Sequence, residues 1–500
     1  MNILHLLVII PVLTVLGIMV VKENKQVRVI SAIGMFAQLL VAVLLVFMYL
    51  AIRKSGNTAE MVLQESYLWF ASLNIHYSIG VDGVSVAMIL LTAIVVFAGI
   101  FSSWQVDTLP KEFFISLIIL ATGVFGFFIT TDIFSMFMYY EVAVIPMYLL
   151  IAIWGTGPKE YSAMKLTLML MAGSALLIVA LMGIYFATPE INGQHTFELL
   201  ELAKSKIPIE SQRFFFPFAF IGFGVLGALF PFHTWSPDGH ASAPTAVSML
   251  HAGVLMKLGG YGIYRVVMYL MPEAAQEQAW FFIILTGISV IYGAFGAIWQ
   301  KDLKYINAYS SVSHCGMVIF ALLMLNRTAM TGAILQMISH GLMTALFFAL
   351  IGMIYGRTHT RLINEMGGLM KVIPFIAVVY MIAGFASLGL PGLSGFVAEM
   401  TIFTGAWEHT DTFHRVVTIV GISSIVVTAV YILRVVGILL LGPMTDHHFE
   451  DLKDATWFEK VSMVTLVVAI AGLGIAPLWI TNMIMEGVQP IVDKLATALV

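Results

Sequence analysis

Apolar stretches of roughly 20 residues, the length that crosses a bilayer core as a helix, follow one another along the whole chain. Inside hydrocarbon every backbone N–H and C=O has to be satisfied within the protein, so such a chain folds as packed α-helices. About fourteen spans can be laid out on this ruler, near 3–21, 29–51, 82–104, 113–130, 132–154, 161–186, 215–240, 246–270, 279–299, 303–324, 329–354, 373–405, 413–441 and 459–482. The expected fold is an all-α polytopic membrane protein. Charged residues make up only 10% of the chain, against about 25% in soluble domains. No soluble domain fits between the spans. The longest gaps, 53–81 and 187–214, suit surface hairpins or short amphipathic helices. The first stretch lacks a basic lead and a small-residue cleavage site, so it reads as a retained span.

Several function classes fall away at once. A net charge of -4 with no basic patch gives no footing for nucleic acid. A single cysteine, Cys315, excludes a disulfide framework, cysteine-ligated iron–sulfur clusters and a thiolate metal cage within this chain. No glycine-rich dinucleotide turn and no P-loop is present, so no cofactor site and no metal site is expected here. The pair His447–His448 in the acidic loop 446–455 suits a solvated turn, because neighbouring helix positions point apart. Positive charge favours one side: Lys22, Lys25, Arg28, Lys111, Lys159, Lys301, Lys304, Arg357, Arg361, Lys371 and Lys453 fall in alternate loops. By the positive-inside rule this side is cytoplasmic, with both termini external.

Two spans are abnormal. The stretch PFHTWSPDGHASAP carries Pro231, Pro237 and Pro244, and the span at 373–405 is too long and holds Pro391 between glycines. Proline removes a helical hydrogen bond, so Pro231 frees the carbonyl of Gly227 and Pro391 that of Ser387. Broken backbone at membrane depth is tolerated only in the protein interior or along a cavity. Paired interrupted helices point to a transport path between repeats. The expected division is 1–112 with spans one to three, 113–270 as a first five-helix repeat, 279–441 as a second, and 442–500 with span fourteen. Five spans per repeat turn the second copy upside down.

Within this frame Glu141, Lys257 and Glu399 lie at membrane depth. A central charge there costs about 2.5–3.5 kcal/mol on insertion scales and marks an ion or proton path by default. Pro146, five residues after Glu141, frees the carbonyl of Val142 beside it. Gly253, Gly259 and Gly260 leave room around the Lys257 ammonium, and His251 lies in the same span. His314 has Ser310 and Ser313 nearby, and His340 has Gln336 four residues before it, on the same helix face. Histidine suits proton shuttling because it titrates near neutrality. Lys165, near a span end, can snorkel or act. Arg265 and Arg434 read as interfacial anchors, and Asp82 as a helix N-cap.

The stretches PFHTWSPDGHASAPTAVSMLHAGVLMKLGGYG (231–262), DLKYINAYSSVSHCG (302–316), HGLMTALFFALIG (340–352) and LPGLSGFVAEMTIF (390–403) resemble signatures of the antiporter-like subunits of respiratory complex I. The likeness runs from about residue 75 to 440, with Glu399 as in the M-type chains, where L- and N-type chains have lysine. The resemblance implies a proton-translocating membrane-arm subunit of a bacterial NADH:quinone oxidoreductase in the inner membrane, flanked by L- and N-type chains and lipid. FMN, iron–sulfur clusters, NADH and quinone would belong to partners. It implies Glu141 as a coupling site, Lys257 as the central lysine, Glu399 as the exit, and His314 and His340 on the axis between the halves. One position departs: where the family usually has a lysine five residues before the first proline of the broken span, this chain has Leu226. Either Glu141 pairs with Lys257, Lys165 or a neighbouring subunit, with His251 taking part of the missing role, or the channel has an altered stoichiometry. The same fold is found in multisubunit Na⁺/H⁺ antiporters and in membrane arms of hydrogenase and formate hydrogenlyase complexes, which stand as alternatives.

Overall fold

The computed structural model describes residues 2–190, 193–444 and 446–498. Two helices, α1 (Ile3–Val20) and α2 (Asn24–Lys54), lead into a β-hairpin of β1 (Val62–Phe70) and β2 (Ile75–Val81). The chain continues through α3 (Gly83–Ser102), α4 (Pro110–Ile129), α5 (Ile133–Trp154) and α6 (Lys159–Ala187). A short helix α7 (Leu199–Lys204) precedes α8 (Ile209–Leu226) and α9 (Trp235–Ser242). Next, α10 (Thr245–Leu250), α11 (Met256–Gly262) and α12 (Met268–Leu270) are joined by the π turns His251–Leu255 and Ile263–Val267 into one rod. Then follow α13 (Pro272–Trp299), α14 (Leu303–Leu322), α15 (Arg327–Thr358), α16 (Pro374–Ser387), α17 (Ser394–Trp407) and α18 (Thr412–Val436). The described chain closes with α19 (Trp457–Ile475) and α20 (Leu478–Thr497).

Among the described residues ten helices have the length and apolarity to cross a membrane. The expected spans that fall outside this set are the two broken ones, the π-containing rod, and α14. The middle of α14 carries Asn307, Ser310, Ser311, Ser313 and His314, all buried. Polar spans are therefore the interior ones. The same sorting shows in α15, whose most apolar stretch is 94% buried, whereas that of α1 is 28% buried. Leu13, Phe47 and Val468 lie on the outer surface, where the hydrocarbon of a bilayer rather than water would meet them.

Short polar residues start the spans. Asp82, Asp132 and Asn326 accept backbone N–H groups of Ser85, Ser135 and Ala329, each at 2.8 Å. Both anticipated breaks are present. After α8 ends at Leu226 the chain turns at Ala228 (φ 55°) and resumes at Trp235. After α16 ends at Ser387, Gly389 (φ 64°) and Gly392 (φ 90°) take left-handed conformations open to glycine, and the helix resumes at Ser394. Similar neighbours recur in the two sets: α4 lies along α5 as α13 lies along α14, and α6 packs on α8 and α9 as α15 packs on α16 and α17.

Three expectations need correcting. The segment after residue 442 holds two long helices, not one. The span expected at 459–482 stops at Ile475, and α20 follows as an amphipathic helix against α3, α12, α13 and α15. Its inner face is Ile480, Met483, Ile484, Gly487, Val488, Ile491 and Leu495, a helical spacing. Arg265 is no interfacial anchor: it is fully buried and ion-paired with Asp82, beneath Tyr261 and Tyr264. Lys304, placed among loop cations by its neighbours in sequence, is 5% exposed. Arg434 does close a helix end, donating to the carbonyls of Ile298 and Gln300.

The gap 53–81 forms the hairpin, and 187–214 contains α7. They meet at Glu198, which is hydrogen-bonded to Ser66 and Ser78 beneath the hairpin. Burial, together with the nearby Asp132 carboxylate, pushes the Glu198 carboxyl up to about 8 from its ordinary 4.5. A carboxyl whose folded pKa is raised holds a proton the unfolded chain has lost, so stability falls as pH rises from about 4.5 to about 8. Thermal unfolding followed across this window should show the decline, and Glu198→Gln should flatten it and raise the melting temperature at pH 8.

Candidate functional site

Lys257 sits in the rod 245–270 between the two π turns. A π turn lengthens the hydrogen-bonded loop by one residue and leaves the local carbonyls short of helical partners. The Lys257 ammonium uses this, donating to the carbonyl of Ala252 inside the first π turn. Its other partner is across the bundle: Nζ lies 2.7 Å from Nδ1 of His340 in α15.

From His340 the polar groups continue. The His340 and His314 rings stand 5.1 Å apart at 27°. His314 Nδ1 is 2.9 Å from Nε2 of Gln336 and 4.0 Å from a carboxylate oxygen of Glu399. Lys257, His340, His314 and Glu399 are each at most 6% exposed. The break in the second long span positions the last of them, since a Cβ at Gly389 would stand 2.5 Å from Glu399 Oε2. Glycine at this turn lets the carboxylate fold back on the loop. Gln336 and His340, one helical turn apart on α15, thus join α11, α14 and α17 through a single face.

Chemically this is a row of groups that can each exist with and without a proton. An ammonium can give a proton to an imidazole nitrogen, and an imidazole can release one from its other nitrogen. His314 Nε2 and Gln336 Oε1 are buried with no hydrogen-bond partner, places where a proton or a water can be received. Ser310 and Ser313, expected to support His314, turn elsewhere: Ser310 bonds Tyr431 at 2.7 Å and Ser313 the carbonyl of Val290 at 2.7 Å.

Glu141 is apart from this row. It is half-buried on α5, faces Ser174 of α6, and one carboxylate oxygen is buried without a hydrogen-bond partner. Among the described residues no cation pairs with it. Leu226 is wholly buried and apolar. Lys165 is committed to Asp238 at 2.6 Å, and Lys257 to His340, so the structure pairs neither lysine with Glu141.

Two further titratable residues are buried nearby, Lys304 and His240. Lys304 donates to the carbonyl of Ala243 at 2.6 Å, beside an Asp302–Arg361 ion pair at 3.0 Å. His240, fully buried at the end of α9, places Nε2 3.4 Å from Sδ of Met256, next to Lys257. Lys304 was hidden by its loop-like neighbours Lys301 and Asp302. His240 was legible only as part of a motif. A further group, His409, Asp411 and His414, gathers at the start of α18, where His409 and His414 stack at 4.1 Å and 14°. In parallel rings the in-plane lone pairs do not converge on one ion, and His414 is already held by Asp411 at 2.7 Å.

Comparison with known proteins places the chain in a family. Residues 130–428 match the family model described as NADH:quinone oxidoreductase/Mrp antiporter, transmembrane. The chain is 31% identical over 497 residues to NADH-quinone oxidoreductase subunit M of Rickettsia prowazekii, covering 98% of this chain and 99% of that one. It is 38% identical over 380 residues to an NAD(P)H-quinone oxidoreductase chain 4 of Picosynechococcus, covering 75% of this chain and 68% of that one. In fold it is similar to a chain of respiratory complex I from Thermus thermophilus (TM-score 0.87, 23% identity, 99% of this chain and 100% of that one). A chain of the Mrp complex from Dietzia is similar too (TM-score 0.85, 18% identity, 100% and 99%). With a family match over more than half its length and a relative matched end to end, the chain belongs to the NADH:quinone oxidoreductase/Mrp antiporter transmembrane family, among the subunit M and chain 4 proteins.

Proposed function

We propose that this chain carries protons across the membrane as a membrane-arm subunit of an NADH:quinone oxidoreductase, with no redox centre of its own. The observation that carries the reading is the buried row Lys257–His340–His314–Glu399, built from α11, α14, α15 and α17, hydrogen-bonded at its first step, stacked at 5.1 Å at its second and 4.0 Å apart at its third. A static ion pair needs two charges; this row joins a cation to a carboxylate through two imidazoles that can each take and release a proton. The end-to-end match to a subunit M supports the oxidoreductase assembly over a free-standing antiporter.

In this reading a proton enters from the cytoplasmic side near the first broken helix, reaches Lys257, crosses through His340 and His314, and leaves at Glu399. The two sets 113–270 and 279–441 act as inverted copies that open in turn. NADH, FMN, iron–sulfur clusters and quinone reside in partner chains, and L- and N-type chains flank this one in a bacterial inner membrane with both its termini outside. Glu141, partly buried on α5 against Ser174 and with no cation partner among the described residues, faces such a neighbour and transmits the coupling charge.

Isolation through a tag on this chain should recover NADH-oxidising activity, and proteoliposomes of the isolate should acidify on addition of NADH. Recovery of Na⁺/H⁺ exchange without NADH oxidation would establish the antiporter reading instead. Glu141→Gln, which keeps the shape and removes the charge, should lower pumping on the order of a hundredfold, the scale of a lost acid–base group. Assembly is checked by NADH oxidation with an artificial acceptor.

A further inference from the structure

Two groups compete for one atom of His314. Gln336 Nε2 lies 2.9 Å from its Nδ1, and a carboxylate oxygen of Glu399 lies 4.0 Å from the same nitrogen. An amide nitrogen only donates, so toward Gln336 the Nδ1 atom accepts and carries no proton. The proton of the neutral ring is then on Nε2, which has no hydrogen-bond partner. In this state the one lone pair of the ring is occupied. His314 can neither take a second proton nor offer one to Glu399.

The other end of the same amide is open. Gln336 is 2% exposed, and its Oε1 is buried with no hydrogen-bond partner. An acceptor left open in the interior is costly, and half a turn of the amide exchanges its two ends. With Oε1 toward the ring, the contact is a hydrogen bond only when Nδ1 holds a proton. The orientation of the amide therefore follows the protonation of Nδ1. The helices around it are fixed by close contacts. On one side of Gln336 a Cβ at Gly332 would stand 2.6 Å from the backbone nitrogen of Ile402, and on the other Ser339 Oγ lies 2.8 Å from Ser394 Oγ. Farther out, Asn326 donates to the Gly405 carbonyl at 2.7 Å. Small residues that bring α15 and α17 this close leave the pair no room to slide. The freedom at this crossing is in the Gln336 side chain.

We propose that the Gln336 amide is a gate between His314 and Glu399, a positioning group that opens or blocks the last transfer of the row. The proposal rests on the proton-carrying reading of that row. With Nε2 toward the ring the gate is closed. With Oε1 toward the ring it is open. A proton arriving at His314 Nε2 then makes the imidazolium, the Nδ1–H bond breaks, and an O–H bond forms on the Glu399 carboxylate. The ring is left neutral with its proton on Nε2, the state that the amide nitrogen closes behind it. A proton on Glu399 then finds the Nδ1 lone pair occupied and does not return.

The test uses the whole complex in proteoliposomes, with NADH oxidation by an artificial acceptor as the check on assembly. Gln336→Met keeps the length of the side chain and removes both ends of the amide. Without NADH, it should raise the passive proton leak down an imposed pH gradient several-fold. With NADH, it should lower the protons moved per NADH oxidised. Gln336→Met combined with Glu399→Gln should return the leak to the parental level, because the exit then takes no proton. A bundle merely loosened by the substitution would leak in both variants, and that result would overturn the proposal. Lost pumping with no leak would overturn it too, making Gln336 a link of the row or a packing group. Parental leak and pumping in Gln336→Met, with Glu399→Gln inactive, would overturn it and leave the row standing. Parental pumping in Glu399→Gln itself would remove both.

Discussion

Lys257→Ala is expected to abolish proton pumping by the assembled complex, and Lys257→Arg is expected to be as inactive. The second variant is the informative one. Arginine keeps the positive charge and can still reach the Ala252 carbonyl and His340, but its guanidinium does not give up a proton in proteins. If Lys257 only fixed α11 to α15 by charge, arginine would serve. If it cycles between ammonium and amine, arginine stalls the row at its first member. The expected loss is on the order of a hundredfold or more, as for removal of a positioned acid–base group. NADH-driven acidification of proteoliposomes reads the loss, and acceptor-linked NADH oxidation confirms assembly. Pumping at the parental rate in Lys257→Arg would show the lysine to be a structural cation. Glu399→Gln should behave like Lys257→Arg, since the amide fills the same space beside Gly389 and takes no proton.

The second large effect concerns the fold. Arg265→Met should leave little assembled protein, because it strands the Asp82 carboxylate in a site that is 1% exposed. Removing one partner of a buried pair typically costs about 3–5 kcal/mol, whereas replacing both can be close to neutral. Asp82→Asn combined with Arg265→Met should therefore recover much of the chain, the asparagine still able to cap α3 at Ser85. The pair also sets where α20 lies. Tyr264, beside Arg265, donates to the Gly487 carbonyl at 2.7 Å, and a Cβ at Gly487 would stand 3.1 Å from Asp82 Oδ2. The amount of chain retained in membranes and its thermal unfolding in detergent measure both variants. A stable Arg265→Met single variant would mean that Asp82 is neutralised some other way.

These two sites divide differently between sequence and structure. Lys257, His314, His340 and Glu399 stood out because a titratable residue inside an apolar span is costly and rare. Arg265 and Lys304 carry the same signal at span ends, where a long side chain can equally reach water, and only packing reveals that they do not. The helix breaks were legible because proline and glycine act through local backbone geometry. The helix α20 was not, because its amphipathic stripe resembles a surface segment until α3, α12 and α15 supply the face it covers.

What the sequence by itself determined is the material of the path: helices long enough to span a bilayer, two of them broken by proline, and a handful of titratable residues at depth. Hydrocarbon forces those choices locally, one segment at a time. What only the tertiary structure decided is the connectivity. Lys257 meets His340 across 83 residues of chain, His314 is brought within 4.0 Å of Glu399, and Glu141 is left outside the row altogether. Which polar groups touch depends on how helices rotate and cross. Close packing of many apolar side chains sets that rotation, and no single span carries the information.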